Sequence, residues 1–160
     1  MNGKLLMALE ENCNLTVEQL AAKAGMTAEE AKAAVKQAEE DKVILGYKAI
    51  VDWERTSYEA VTALIEVNVT PQRGDGFDRI ARRIYQYEEV ESCYLMSGSF
   101  DMTVIISGRS LKEVAQFVGQ KLAPIEGVTG TATHFILKKY KEKHQIFEKQ
   151  EKQEEGFVLE

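Results

Sequence analysis

The chain has 160 residues, 44% of them hydrophobic, and a formal net charge of −6 at pH 7. That length accommodates one ordinary domain or two small ones with enough apolar material for a core, and the acidic balance argues against a general binder of polyanions. No apolar run is long enough to span a bilayer and no charged-then-apolar signal pattern opens the chain, so a cytoplasmic protein without a membrane partner is expected.

In chain order, Leu5, Leu6 and Leu9 offer a first short helix. Val17, Leu20, Ala21 and Ala24 then fall at the i, i+3, i+4, i+7 spacing of one buried helical face, and Ala31, Ala34, Val35 and Ala38 repeat it. Between the two stripes, Gly25 can take the left-handed conformation that ends a helix. Thr27, followed three residues later by Glu30, has the form of a capping box that starts the next one. Three short helices around a tight glycine-containing turn predict a helix-turn-helix, whose last helix would enter the major groove of DNA.

The charge on that last helix is unusual for such a role. From Thr27 to Asp41 the cations are Lys32 and Lys36, against the acids Glu29, Glu30, Glu39, Glu40 and Asp41. Duplex affinity comes largely from cations neutralising phosphates. The candidate DNA contacts are therefore Lys32 and Lys36 for phosphate, with Thr27 and Gln37 for base readout, and no arginine is present for bidentate contact to guanine. The alternative is a small helical domain serving dimerisation or linkage.

Beyond Tyr47 the period changes. Tyr58 to Val69 alternate, with Val61, Ala63, Ile65, Val67 and Val69 on one face and Thr62, Glu66 and Asn68 on the other, which predicts a half-buried strand. Pro71, Gly74 and Gly76 mark a loop. Phe77, Ile80, Ala81 and Ile84 form a helical stripe with Arg79, Arg82 and Arg83 on the wet side. Strands Val90 to Met96 and Met102 to Ser107 are separated only by Ser97 to Asp101 and can pair as a hairpin. Leu111, Val114, Ala115, Val118 and Leu122 keep helical spacing up to Pro124 and Gly127, and Val128 to Lys138 makes the last strand. The order β-α-β-β-α-β is the split βαβ, ferredoxin-like arrangement. The sheet face away from the helices would carry Leu64, with Leu95 or Met96 depending on register, and would need a cover, so dimerisation through the sheet is expected.

The whole run resembles the leucine-responsive regulatory protein/AsnC family of transcription regulators over roughly residues 4 to 141. The resemblance is carried by EQLAAKAGMT (Glu18 to Thr27), VILGYKAIVD (Val43 to Asp52), EVESCYLMSGSFDM (Glu89 to Met102) and EGVTGTATHFILKKYK (Glu126 to Lys141) in this order and spacing. It implies an N-terminal domain that binds double-stranded DNA and a C-terminal domain that senses an amino acid or related small molecule. It also implies homodimers that assemble into a tetramer or octamer. Where the family tends to be basic this chain has Asn14, Ala33, Ala34 and Gln37, and where it usually has glycine this chain has Lys42.

The family's effector loop has the form Gly-x-Tyr-Asp, and here Phe100 replaces the tyrosine. The resemblance implies an effector bound by Gly98, Ser99, Phe100 and Asp101 where two dimers meet, with Tyr94, Thr131 and Thr133 as further candidates. Backbone N–H groups at Gly98 could approach the ligand, and Asp101 could accept hydrogen bonds from an ammonium group. The plainer alternative is a tight hairpin that Asp101 merely caps.

Cys13 and Cys93 lack paired spacing and read as reduced, packed thiols. Sirohaem decarboxylases share the two-domain plan, but His134 and His144 are the only histidines. No nucleophile-base pair, metal spacing or phosphate loop accompanies them. An enzyme is not expected, nor are catalytic residues, a metal or a cofactor.

The expected organisation is α+β. A three-helix domain over 1–52 is followed by a linker over 53–57, a ferredoxin-like domain over 58–141 and a charged tail over 142–160. The tail is read as a solvated helix or a disordered extension, with Ile146, Phe147, Phe157 and Leu159 available to pack on a partner subunit. The expected function is a DNA-binding transcriptional regulator controlled by a small metabolite. The alternative is a sensor of the same fold whose helix-turn-helix no longer binds DNA and which acts through mixed oligomers.

Overall fold

The structure is a computed structural model that describes residues 2–70 and 76–147. The chain divides into two compact units, Met1–Ile50 and Val51–Glu160. No helix among the described residues is long and apolar enough to cross a membrane.

The first unit contains α1 (Gly3–Glu11), α2 (Val17–Ala24) and α3 (Ala28–Glu40). Helices this short are marginal alone, so their ends and their packing must hold them. Asn2 caps α1 by accepting from the backbone N–H groups of Lys4 and Leu5. Reciprocal capping boxes, Thr16 with Gln19 and Thr27 with Glu30, start α2 and α3. The Thr27 backbone N–H and then its hydroxyl hold the Glu30 carboxyl below the usual carboxylate range.

Both later helices end in the same way. Gly25, at φ 69°, lets Met26 N donate to Ala21 O at 3.0 Å, and Lys42, at φ 58°, lets Val43 N donate to Ala38 O at 2.9 Å. A left-handed lysine costs about 1 kcal/mol or more that glycine would not.

The core of this unit is small. Leu5, Ala8, Leu20, Ala21, Ala24 and Ala31 are buried, with Leu6, Leu9, Leu15, Met26, Ala34 and Val35 packed around them. Val17, expected on the buried face, is 37% exposed because it opens the first turn of α2.

The second unit begins with a 3-10 turn over Trp53–Arg55. It continues through β1 (Val61–Val69), α4 (Gly76–Tyr85), β2 (Val90–Leu95), β3 (Met102–Gly108), α5 (Leu111–Phe117) and β4 (Val128–Phe135). Tyr58 stops short of the strand and packs at a tilt against Trp53, with ring centroids 5.0 Å apart. Of the expected loop residues, Pro71 and Gly74 lie outside the described residues, and Gly76 opens α4. The helix expected to run unbroken to Leu122 turns π-helical over Val118–Leu122. Leu111 is 58% exposed and Ala115 is also exposed, so the buried stripe is Val114, Phe117 and Leu122 rather than the one expected.

The four strands pair antiparallel in the order β2-β3-β1-β4. Ala63, Ile65, Val67 and Val69 of β1, with Met102, Val104 and Ile106 of β3, pack against Ile80 and Ile84 of α4 and Val114 and Phe117 of α5. Both helices therefore lie on one face of the sheet.

Directly paired residues share a face. The open face carries Thr62, Leu64 and Glu66 of β1, Thr103 and Ile105 of β3, and His134 of β4, whose Nε2 lies 3.3 Å from Glu66 Oε1. In β2 a register irregularity between Val90 and Ser92 flips the alternation, so Cys93 packs inward on the core and Tyr94 points outward. Leu95 pairs with Met102 and belongs to the helix side. Of the apolar residues considered for the open face, Leu64 is there.

After β4, the start of the supposed tail is neither helix nor extension. Lys141–Glu142 (β5) and Gln145–Ile146 (β6) form a small hairpin. Its two turn residues, Lys143 and His144, both have positive φ. Phe157 and Leu159 lie outside the described residues.

Candidate functional site

Two surfaces carry the residues of interest, one in each unit. On α3 the inward stripe is Ala31 and Ala38, both fully buried, with Ala34 and Val35 half-buried. A helix turns about 100° per residue, so the direction opposite that stripe is held by Glu29, Ala33, Lys36 and Glu40, with Lys32 and Gln37 on the two flanks. Lys36 Nζ lies 3.6 Å from Glu40 Oε1, and Gln37 Nε2 donates to Asp41 Oδ1 at 2.9 Å. Both contacts are solvent-exposed, and such pairs contribute only about 0.3–0.5 kcal/mol, so neither would hold its side chain back from a phosphate.

The Thr27 hydroxyl is more committed, accepting from Glu30 N at 3.2 Å and donating to Glu30 Oε2 at 3.0 Å. Lys32 has no ion-pair partner among the described residues.

In the second unit the turn between β2 and β3 is closed by Met96 N donating to Asp101 O at 2.8 Å. Asp101 then fastens this turn to β1. Its N–H donates to Val67 O at 3.1 Å, and its Oδ2 accepts from Val69 N at 2.8 Å. The carboxylate thus stands in for a backbone carbonyl where the β1–β3 ladder ends, and its other oxygen has no hydrogen-bond donor among the described residues. Gly98 and Ser99 are exposed and Phe100 is half-buried.

Thr131 pairs with Val67 and Thr133 with Ile65, so both sit on the helix side of edge strand β4. Thr131 shares with Asp101 the neighbourhood of Val67. Tyr94, paired with Thr103, projects from the opposite face and is 52% exposed. A single chain therefore brings the turn and Thr131 to one end of the sheet but not Tyr94 to the same side.

A further cleft, of about 250 Å³, had no sequence signal. It lies between the end of β3 and α5, lined among others by Gly108, Gln116, Gln120 and Lys121. Lys121 bridges to Glu89, holds that carboxyl below the usual range, and lies over the Tyr87 and Phe117 rings. Glu89 and Lys121 are 32 positions apart, beyond the reach of any local pattern.

The order of elements defines the class: a capped helix-turn-helix unit followed by a split βαβ, ferredoxin-like unit. The Lrp/AsnC ligand binding domain matches residues 62–146, which includes the small terminal hairpin. The uncharacterized HTH-type transcriptional regulator YugG of Bacillus subtilis (strain 168) is 47% identical over 146 residues, covering 91% of this chain and 88% of its own length. The Bkd operon transcriptional regulator of Pseudomonas aeruginosa is 33% identical, covering 84% of this chain and 88% of its own.

Among solved structures, the feast or famine regulatory protein of M. tuberculosis complexed with L-methionine superposes at a TM-score of 0.68 with 23% identity, covering 90% of this chain and 95% of that one. A Neisseria meningitidis transcriptional regulator in complex with L-Met gives 0.68 with 24% identity, covering 87% of this chain and 89% of that one. The chain belongs to the Lrp/AsnC family. The relatives are transcriptional regulators, not enzymes.

Proposed function

We propose that this chain is a DNA-binding transcriptional regulator controlled by a small metabolite, an amino acid being the first class to test. The observation that carries the reading is the joint presence of two helices with complete capping boxes in helix-turn-helix order and, in the same chain, the Lrp/AsnC ligand binding domain. Lys32 and Lys36 would meet phosphates and Gln37 a base edge. Thr27 serves mainly to start the reading helix.

The exposed N–H groups around Gly98 and Ser99 would take the ligand's carboxylate, and the remaining oxygen of Asp101 its ammonium. Phe100 would supply the aromatic wall. Thr131 is nearer to such a ligand than Thr133, and Tyr94 would contribute only from another protomer. A homodimer joined through the open sheet face around Leu64 and Ile105, and assembled further into a tetramer or octamer, would bring such residues together. Solved neighbours that hold L-methionine make that amino acid the natural lead.

A second reading is favoured by the outward direction of α3, where Glu29 and Glu40 flank Lys36. In that reading the protein senses its ligand and forms mixed oligomers without contacting DNA.

Sedimentation and thermal melting of the purified chain with each of the twenty common amino acids tests the sensing part. We expect species heavier than the 18.0 kDa monomer and, for at least one amino acid at millimolar concentration, a rise of about 2 °C or more in melting temperature. A monomer unmoved by all of them would end the sensor reading.

A further inference from the structure

The three helices of the first unit enclose a groove of about 410 Å³. Its walls include Leu9, Leu15, Val17 and Val35, and its floor Leu20 and Ala31. From α3 the groove is lined by Ala31, whose short side chain fills little of it, and by Lys32, Val35, Lys36 and Glu39. Leu9, Leu15 and Val35 are correspondingly only half-buried, and Val17 keeps more than a third of its surface. Pockets of this size and apolar character are typical of small-molecule sites.

The rim is polar and asymmetric. Lys32 and Lys36, one turn apart, edge the groove together with Glu39 and Tyr47. The Tyr47 hydroxyl donates to Glu39 Oε1 at 2.9 Å, so that carboxylate already has a partner. Lys36 shares Glu40 at 3.6 Å across solvent, and Lys32 has no ion-pair partner among the described residues. An apolar trough with an uncommitted ammonium group at its lip is complementary to a molecule with a hydrocarbon body and one anionic end. A zwitterion would find its ammonium facing two lysines and a carboxylate already hydrogen-bonded.

We propose that this groove binds a small apolar carboxylic acid, its hydrocarbon part against Leu9, Leu15, Val17 and Val35 and its carboxylate on Lys32, with Lys36 in support. Those two lysines are the cations on α3 available for DNA phosphates, so the acid and the duplex compete for the same charges. The acid would release DNA from the reading helix without involving the Asp101 turn. The binding claim stands on the groove alone, and the competition rests on the DNA reading above.

Sodium octanoate is the probe, titrated calorimetrically into the full-length chain. We expect saturable binding of one molecule per chain. Lys32→Gln/Lys36→Gln, which keeps the trough and removes its charge, should weaken octanoate about tenfold, as the loss of two partly exposed ion pairs gives. The same variant should leave 1-octanol within about twofold. Val17→Trp at the exposed rim should block both probes, and Asp101→Asn should change neither.

No saturable octanoate binding, or equal binding by the charge-neutral variant, overturns the proposal. DNA binding that octanoate fails to weaken removes the competition while leaving the site. If the chain binds no DNA at all, the calorimetric comparison still decides whether the site exists, so the two readings fail separately.

Discussion

Gly127→Ala is expected to lower the stability of the second unit by about 2–4 kcal/mol, visible as a drop of about 10 °C or more in melting temperature. Gly127 sits at φ +96°, a conformation that residues with a side chain rarely adopt. A β-carbon there would stand 2.8 Å from Ile80 Cδ1 and 3.3 Å from Thr70 O. Neither neighbour can yield easily. Ile80 is 5% exposed within the core, and Thr70 is held by its own N–H donating to Gly127 O at 2.8 Å. Gly130→Ala is the control, because its β-carbon would meet only Asn68 Nδ2 at an ordinary 3.8 Å and its backbone is unstrained. Chemical denaturation of both variants measures the difference. A Gly127→Ala protein within about 0.5 kcal/mol of the parent would mean that the turn from α5 into β4 is not built as described.

The second large effect is expected at Asp101, and it separates a structural role from a ligand-binding one. Asp101→Ala leaves the Val69 N–H, at a residue only 7% exposed, without its 2.8 Å acceptor, a loss of about 1–3 kcal/mol. Asp101→Asn keeps an oxygen that can accept from Val69 and should recover at least half of that loss. The asparagine lacks the negative charge an ammonium group needs, so any amino-acid-dependent thermal shift should vanish in both variants. If Asp101→Asn melts like the parent and keeps the full shift, Asp101 only fastens the turn to β1, which is the plainer role its position also allows.

What the sequence carried was chiefly what burial writes into local periodicity. The alanine and leucine stripe of α2 and α3, the capping box at Thr27 with Glu30, the left-handed Gly25 and the alternation of β1 were all legible, because each is set within a few residues. The features that escaped are set by partners far along the chain or by single departures from regularity. The register irregularity at Glu91 decides which way Tyr94 points, and no alternation pattern in β2 reveals it. The Asp101–Val69 hydrogen bond joins positions 32 residues apart, so the turn motif was visible but the occupation of one carboxylate oxygen was not.

Leu111 and Ala115 kept helical spacing yet are exposed, because α5 buries Val114 and Phe117 instead, and the π-helical turn at Val118–Leu122 that follows carries Leu122 back into the core. The terminal hairpin was hidden for a different reason. Lys143 and His144 adopt the positive φ that hairpin turns usually obtain from Asn-Gly or Asp-Gly, so the turn had no compositional mark.

The groove beside Lys32 follows the same logic. Most of its residues were assigned to helices from sequence, but the space they leave open depends on how the three helices pack together. The outward direction of Lys36 and the flanking position of Lys32, by contrast, follow from the alanine stripe that the sequence already showed.

The most direct measurement is fluorescence anisotropy of the full-length chain against labelled fragments of its own genomic neighbourhood, at two salt concentrations, with Lys32→Ala/Lys36→Ala in parallel. The regulator reading predicts binding that weakens steeply with salt and is largely lost in the double variant, since each neutralised phosphate contributes to the salt slope. Binding absent at low salt, with and without amino acids, would contradict it and leave a sensor that works through assembly alone.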